Sequence, residues 1–181
     1  SCVANAKPTL SIARDPAGPW RSRDLWNDPS VRGENPSIWI TDAGEIYGMG
    51  RGVNMVLYGS DWQNSSTYVR GTKSGVTSTL SSKPDVEDPF LYQDGNGHFH
   101  ALFHSLEGPH MVGGVNGALV GTHAYSFDAV RWYYTGTAYT NRVNFTDGTH
   151  MLLNRRERPH LVFFEGTRTP VALSNSAEIG G

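Results

Sequence analysis

Apolar residues fall in short runs broken by Gly, Asp, Asn and Pro, and no stretch keeps the period of an amphipathic helix. Three runs share one plan: a polar or charged residue, a proline, an apolar strand, a glycine turn and a second apolar strand. The first is Asn35-Pro36-Ser37-Ile38-Trp39-Ile40, turning at Asp42-Ala43-Gly44 into Glu45-Ile46-Tyr47-Gly48-Met49. The second is Glu87-Asp88-Pro89-Phe90-Leu91-Tyr92, turning at Asp94-Gly95-Asn96-Gly97 into His98-Phe99-His100-Ala101-Leu102-Phe103. The third is Arg158-Pro159-His160-Leu161-Val162-Phe163-Phe164, turning at Glu165-Gly166 into Pro170-Val171-Ala172-Leu173. β-Branched and aromatic runs with glycine at the turn predict a hairpin each time.

The prolines stand at 36, 89 and 159, roughly the length of a four-stranded propeller blade apart. Residues between the hairpins supply outer strands: 121–126, 130–134, and 143–145 turning at Asp147-Gly148 into 150–153. The predicted class is therefore all-β, with antiparallel four-stranded blades of a β-propeller. A β-sandwich also uses short strands with regular turns, and the proline-led repeat favours the propeller. The segments read as a trailing strand in 1–20, blades at 35–80 and 87–153, and a last blade at 158–176.

Composition supports this. In 181 residues, 21 Gly and 10 Pro supply turns, and 38% hydrophobic residues suffice for a core. A net charge of -2 gives no footprint for nucleic acid, and no apolar run is long enough to span a bilayer. The lone Cys2 forms no internal disulfide; it is either a small apolar thiol or a bridge to another chain. The sequons at Asn64 and Asn144 predict exposed glycosylation sites in an extracellular protein.

Gly18-Pro19-Trp20, Asn35-Pro36-Ser37 with its Asp-x-Gly hairpin, and Glu87-Asp88-Pro89-Phe90 resemble elements of glycoside hydrolase family 43, the arabinanase and xylosidase type. Ile12-Ala13-Arg14-Asp15 before Gly18-Pro19-Trp20 is similar to the phrase that closes a blade there. The resemblance implies a five-bladed propeller of which this chain carries about three blades. An open ring leaves sheet edges and apolar faces uncovered, so a second polypeptide or a copy of this chain is the expected partner. Apolar area is expected to stand exposed near Leu10, Ile12, Val171 and Leu173.

In a propeller the first residues of the innermost strands gather at one mouth, which brings Asn35, Glu87, Asp88, Arg158 and His160 together as candidate catalytic and sugar-binding residues. Glycoside hydrolysis needs two carboxylates in different protonation states. The resemblance implies a structural or pKa-tuning role for Asp88, with Glu87 beside it as a further catalytic candidate. Glu107, in Glu107-Gly108-Pro109, resembles the family's general acid, although its place after a second strand equally suits an ordinary loop carboxylate. The family's catalytic base lies on a first blade absent from this sequence. His98, His100 and His104 share one face of a strand by their even spacing. With His123 on the next strand, His100 and His104 form a candidate metal set, and related propellers hold an axial divalent cation; buried, hydrogen-bonded histidines are the alternative. Arg155, Arg156 and Arg158 with Glu157 read either as a site for an acidic sugar or as an ion-paired loop. Trp26 and Trp62, in polar surroundings, are candidate sugar-stacking platforms. The function expected is an extracellular carbohydrate-active propeller whose catalysis is completed elsewhere or lost; the alternative is a structural or adhesive glycoprotein.

Overall fold

The computed structural model describes residues 9–24, 35–75, 78–81, 85–106 and 119–179. Cys2, Trp26 and Glu107 lie outside these residues. All the regular structure described is strand apart from two single turns of 3-10 helix, and it forms four sheets.

A two-stranded ribbon pairs β1 (Thr9–Ile12) antiparallel with β2 (Arg21–Asp24). The first full sheet runs β3 (Ser37–Ile40), β4 (Ile46–Gly50), β5 (Asn54–Gly59), β6 (Tyr68–Val69), each strand antiparallel to the next. The second contains β7 (Thr79–Leu80), β8 (Val86–Gln93), β9 (Phe99–Ser105), β10 (Leu119–Ser126) and β11 (Arg131–Thr140), in the order β8-β9-β10-β11-β7. The third joins β12 (Arg142–Asn144), the long β13 (His150–Phe163) and β14 (Pro170–Ile179). Apart from the short β7, which pairs parallel to β11, these are antiparallel blades, and within this chain they make an incomplete propeller ring. The proline-led runs are the inner strands β3, β8 and β13. Ser37 and Leu91 are tied across β3 and β8 by a 2.9 Å hydrogen bond from Leu91 N–H to Ser37 Oγ, and the Phe163 ring lies 6.1 Å from Trp39 and 6.4 Å from Phe90.

Local chemistry explains the hairpins. At the β8–β9 turn, Asp94 Oδ1 accepts from the N–H groups of Asn96 (2.9 Å) and His98 (2.8 Å), while Gly97 takes φ +84°, a conformation costly for any residue with a Cβ. Gly121 is needed for a different reason: a Cβ there would stand 2.1 Å from the Tyr139 ring, which packs flat against the backbone.

Alternation decides the core. One face of the second sheet carries Leu91, Phe99, Ala101, Phe103, Ala124 and Trp132, all buried against Tyr47, Met49, Met55 and Tyr58 of the first sheet. Fully burying a side chain of this kind contributes roughly 1.5–3 kcal/mol. A smaller cluster, Ile46 and Leu57 with Leu10, Ile38, Ile40, Trp62 and Tyr68, covers the other face of the first sheet.

The structure redraws two segment boundaries. The hairpin 143–153 belongs to the third sheet, since β12 pairs with the start of β13, and Thr79–Leu80 joins the second sheet through β11. Residues 9–12 form half of a ribbon. Of the four apolar positions expected to be open, Leu10, Ile12 and Leu173 are half-buried, and Val171 is 58% exposed.

Candidate functional site

In each proline-led run the residue before the proline is left-handed: Asn35 at φ +50°, Asp88 at +50° and Arg158 at +54°. A proline normally pushes the residue before it to extended backbone, and a non-glycine residue in this region costs about 1–3 kcal/mol. The cost is repeated in three blades and converges on one place. Asn35, Pro36, Asp88, Pro89, Arg158 and Pro159 line a single open cleft of about 210 Å³ at the mouth of the ring. Asn35 Nδ2 donates to Asp88 Oδ1, and the Arg158 guanidinium lies 3.6 Å from Asp88 Oδ2. Asp88 is buried, whereas the Arg158 side chain is 66% exposed and faces solvent over the cleft.

Behind Asp88 lies a second layer. His104, from β9, is almost wholly buried; its Nδ1 is 3.5 Å from Glu87 Oε1 and its Nε2 is 4.0 Å from Glu157 Oε1. Arg51 approaches Glu87 at 3.7 Å, and Arg155 approaches Glu157 at 3.6 Å. Donor atoms of Glu87, Asp88 and His104 lie within 4.8 Å of one another, a mixed oxygen and nitrogen set of the type divalent cations accept. Arg51 beside Glu87 and Arg158 beside Asp88 already supply cationic charge, so a metal would have to compete with them.

His100 and His123 do meet, through a 3.0 Å hydrogen bond between Nδ1 and Nε2, and His123 Nδ1 is 2.7 Å from Thr135 Oγ1. Burial and the neighbouring His100 push His123 down to about 4. His104 does not join them, so the three-histidine set is not assembled. Even spacing put the histidines correctly on one face, but at about 3.3 Å per residue four positions separate His100 from His104 by roughly 13 Å.

The other candidates divide. His160 stands just inside the mouth with its ring 4.4 Å from Phe90. Trp62 is not there: it packs on the Ile46 and Leu57 cluster, and its backbone N–H donates to Gly44 O at 2.9 Å, at the turn end of the first sheet. The arginine cluster splits. Arg155 is paired with Glu157 and Glu178, and Arg156 bonds Asn175 Oδ1 and Thr140 O at 3.0 Å each, its guanidinium over Tyr139. Arg158 alone of the three lines the mouth. Asn64 and Asn144 are both exposed, one capping a helical turn and the other ending β12.

Sequence reasoning placed Glu157 only with the neighbouring arginines and not beside His104, and it missed Arg168. At the opposite end of the axis Arg168 donates to Gln93 Oε1 at 2.8 Å, pairs with Asp42 at 2.7 Å and covers the Trp39 ring, so one side chain ties the hairpin turns of three sheets.

No family model and no curated protein matches the chain. Among solved structures, the chain is similar to one described as a GH43 β-1,3-galactosidase, with a TM-score of 0.53 and 15% sequence identity. The match covers 87% of this chain and 30% of that protein, so the chain spans less than a third of its length. A likeness at that identity is one of fold, the β-propeller.

Proposed function

We propose that the chain is part of an extracellular, glycosidase-like β-propeller that takes a glycan at the mouth formed by Asn35, Asp88 and Arg158. The observation that carries this reading is the convergence of three strained pre-proline residues, one from each blade, on a single cleft. Strain at equivalent positions is kept where the side chains are used, and here they form a hydrogen-bonded, ion-paired polar surface of the type that orients sugar hydroxyls. The GH43-like fold supports a glycan as ligand. Glu87, Asp88 and His104 are where an axial divalent cation would sit.

A second polypeptide, or a copy of this chain, completes the ring in this reading. Val162 at 49%, Phe164 at 63% and Val171 at 58% exposure on the last sheet favour such a partner. They are equally the feature that an adhesive, non-enzymatic subunit would use. Affinity electrophoresis against a panel of soluble polysaccharides separates the readings. The expected result is retardation by at least one polysaccharide, abolished in Asp88→Ala with the fold intact by circular dichroism. Retardation by none, with the native mass showing assembly, would leave the adhesive reading.

A further inference from the structure

The hairpins in the outer halves of the first two sheets share a turn, and the β1–β2 ribbon has it too. Each runs from a small residue through one other to Asp, with Trp within five residues: Gly59-Ser60-Asp61-Trp62, Ser126-Phe127-Asp128 before Trp132, and Ala13-Arg14-Asp15 before Trp20. In each, the aspartate Oδ1 accepts from the N–H two residues on: Gln63 and Val130 at 2.8 Å, Ala17 at 2.7 Å. The turns at Asp94 and Asp147 repeat that bond but have neither the small residue nor the tryptophan. The ribbon is therefore the outer hairpin of a blade, and it packs through Leu10 on the far face of the first sheet, where a preceding blade would stand. Trp132 is 1% exposed within its full sheet, whereas Trp20 is 58% exposed. The third sheet is the complementary half. Its β13 and β14 match the inner pairs β3–β4 and β8–β9, and among the described residues nothing pairs with the far edge of β14. Such an edge presents a row of free backbone groups to another strand. The second sheet packs on Phe163 through Phe90 and Tyr92, and that face continues outward through His100 to Tyr125, Tyr133 and Phe127. There it is uncovered, with Tyr133 at 41% and Phe127 at 60% exposure.

We infer that the β1–β2 ribbon of one copy completes the third sheet of a second copy, and that two copies close one ring. The inference rests on the ring reading above and names its partner. One copy holds two full blades and two half-blades, three in all, which is fewer than the roughly four to eight blades of closed propellers. Two copies make six. The joint is the same at both places, so a twofold axis closes it. In the first sheet Ile46, at the start of β4, pairs with Gly59, at the end of β5. The same register sets Ile12 of one copy against Val171 of the other, and Thr9 against Ser174, with β1 antiparallel to β14. Leu10 and Ile12 stay on their own first sheet. The opposite face of the ribbon, where Ser11 and Ser22 share a 2.8 Å hydrogen bond, then covers Tyr125, Tyr133 and Phe127 of the other copy. Val162 lies opposite Phe163 by strand alternation and is 49% exposed. In the ring it meets Ile38 and Ile40 on the other copy's first sheet, both half-buried here. The mouth is then shared, with Asn35, Asp88 and Arg158 of both copies around one axis.

The test is the native mass of the full chain by light scattering across a dilution series, with hydrogen exchange on the same samples. The expected mass is twice 19.8 kDa, with protection in 170–176 that is lost on dilution. Phe127→Glu with Tyr133→Glu changes only surface residues. This double variant is expected to raise the dissociation constant of the dimer at least about tenfold while circular dichroism is unchanged. Val162→Glu, on the other half of the joint, is expected to do the same, and it serves alone should the double variant fail to fold. A wild-type mass of 19.8 kDa at every concentration would overturn the inference. So would a dimer that neither variant weakens, since the copies would then meet elsewhere, or a mass that grows beyond two copies, since the joint would then not close. The glycan reading is judged separately, by retardation: a monomer that a polysaccharide retards keeps it, and a dimer that none retards loses it.

Discussion

The second sheet has two faces, and they are packed in different ways. Toward the first sheet it presents Phe103, Trp132, Leu91 and Ala101, packed with Tyr47, Met49 and Met55 in one apolar cluster. Toward the third sheet it presents Phe90, Tyr92, His100, His104 and His123, met by His160, Phe163, Glu157 and Arg156. The first interface is held by non-directional burial, which tolerates a range of relative positions at modest cost. The second is held by directional contacts that fix where each side chain points, and it is the one from which the mouth is built. In this molecule apolar burial supplies stability, and the polar interface supplies the site.

Removing a central side chain from the apolar interface gives the largest expected effect. Trp132, 1% exposed, packs against both sheets; Trp132→Ala is expected to cost about 3–5 kcal/mol in denaturant unfolding. Phe163→Ala on the polar side should cost clearly less, because Phe163 is half-buried. Equal losses would mean that the two interfaces do not differ as described.

Next in size is Arg168→Ala, which removes the cation that ties Gln93 and Asp42 to the third sheet. A loss of about 1–2 kcal/mol is expected, with faster hydrogen exchange confined to β13 and β14. Uniform exchange across all sheets would show that Arg168 does not tie the third sheet to the others.

The smallest effect is one of pH, and it belongs to the polar side. Because His123 is held at about 4, below its ordinary 6.5, the unfolded chain binds that proton first as pH falls. The contribution of neutral His123 is full above pH 6.5 and is lost as pH drops from there toward 4. Urea midpoints should therefore fall over that window in the native chain and fall less in His123→Asn. Parallel curves would place the loss in groups other than His123.

How far the sequence was legible follows the same division. Local signals located β3, β8 and β13, because proline, an apolar run and a glycine turn act within a dozen residues. The prolines also brought Asn35, Asp88 and Arg158 to one mouth. What depended on distance through space was harder to read. The hairpin at 143–153 was recognisable as a hairpin, but its sheet is decided by the 14-residue β13, which pairs with β12 through His150, Met151 and Leu152 and with β14 from Leu153 to Phe163. Trp62 sits among polar neighbours in sequence and apolar ones in space. Arg168 has no local mark at all. Glu157 was read with the arginines beside it in sequence, whereas its approach to His104 of another sheet had no local signal.

The account stands most directly on where a glycan sits. Hydrogen–deuterium exchange of the full-length protein, with and without a retarding oligosaccharide, reads this peptide by peptide. Protection is predicted in peptides spanning 35–38, 86–90 and 157–161, the three entries to the mouth. Protection confined to the opposite end, at 94–98 and 126–133, would contradict the assignment of the mouth as the glycan site.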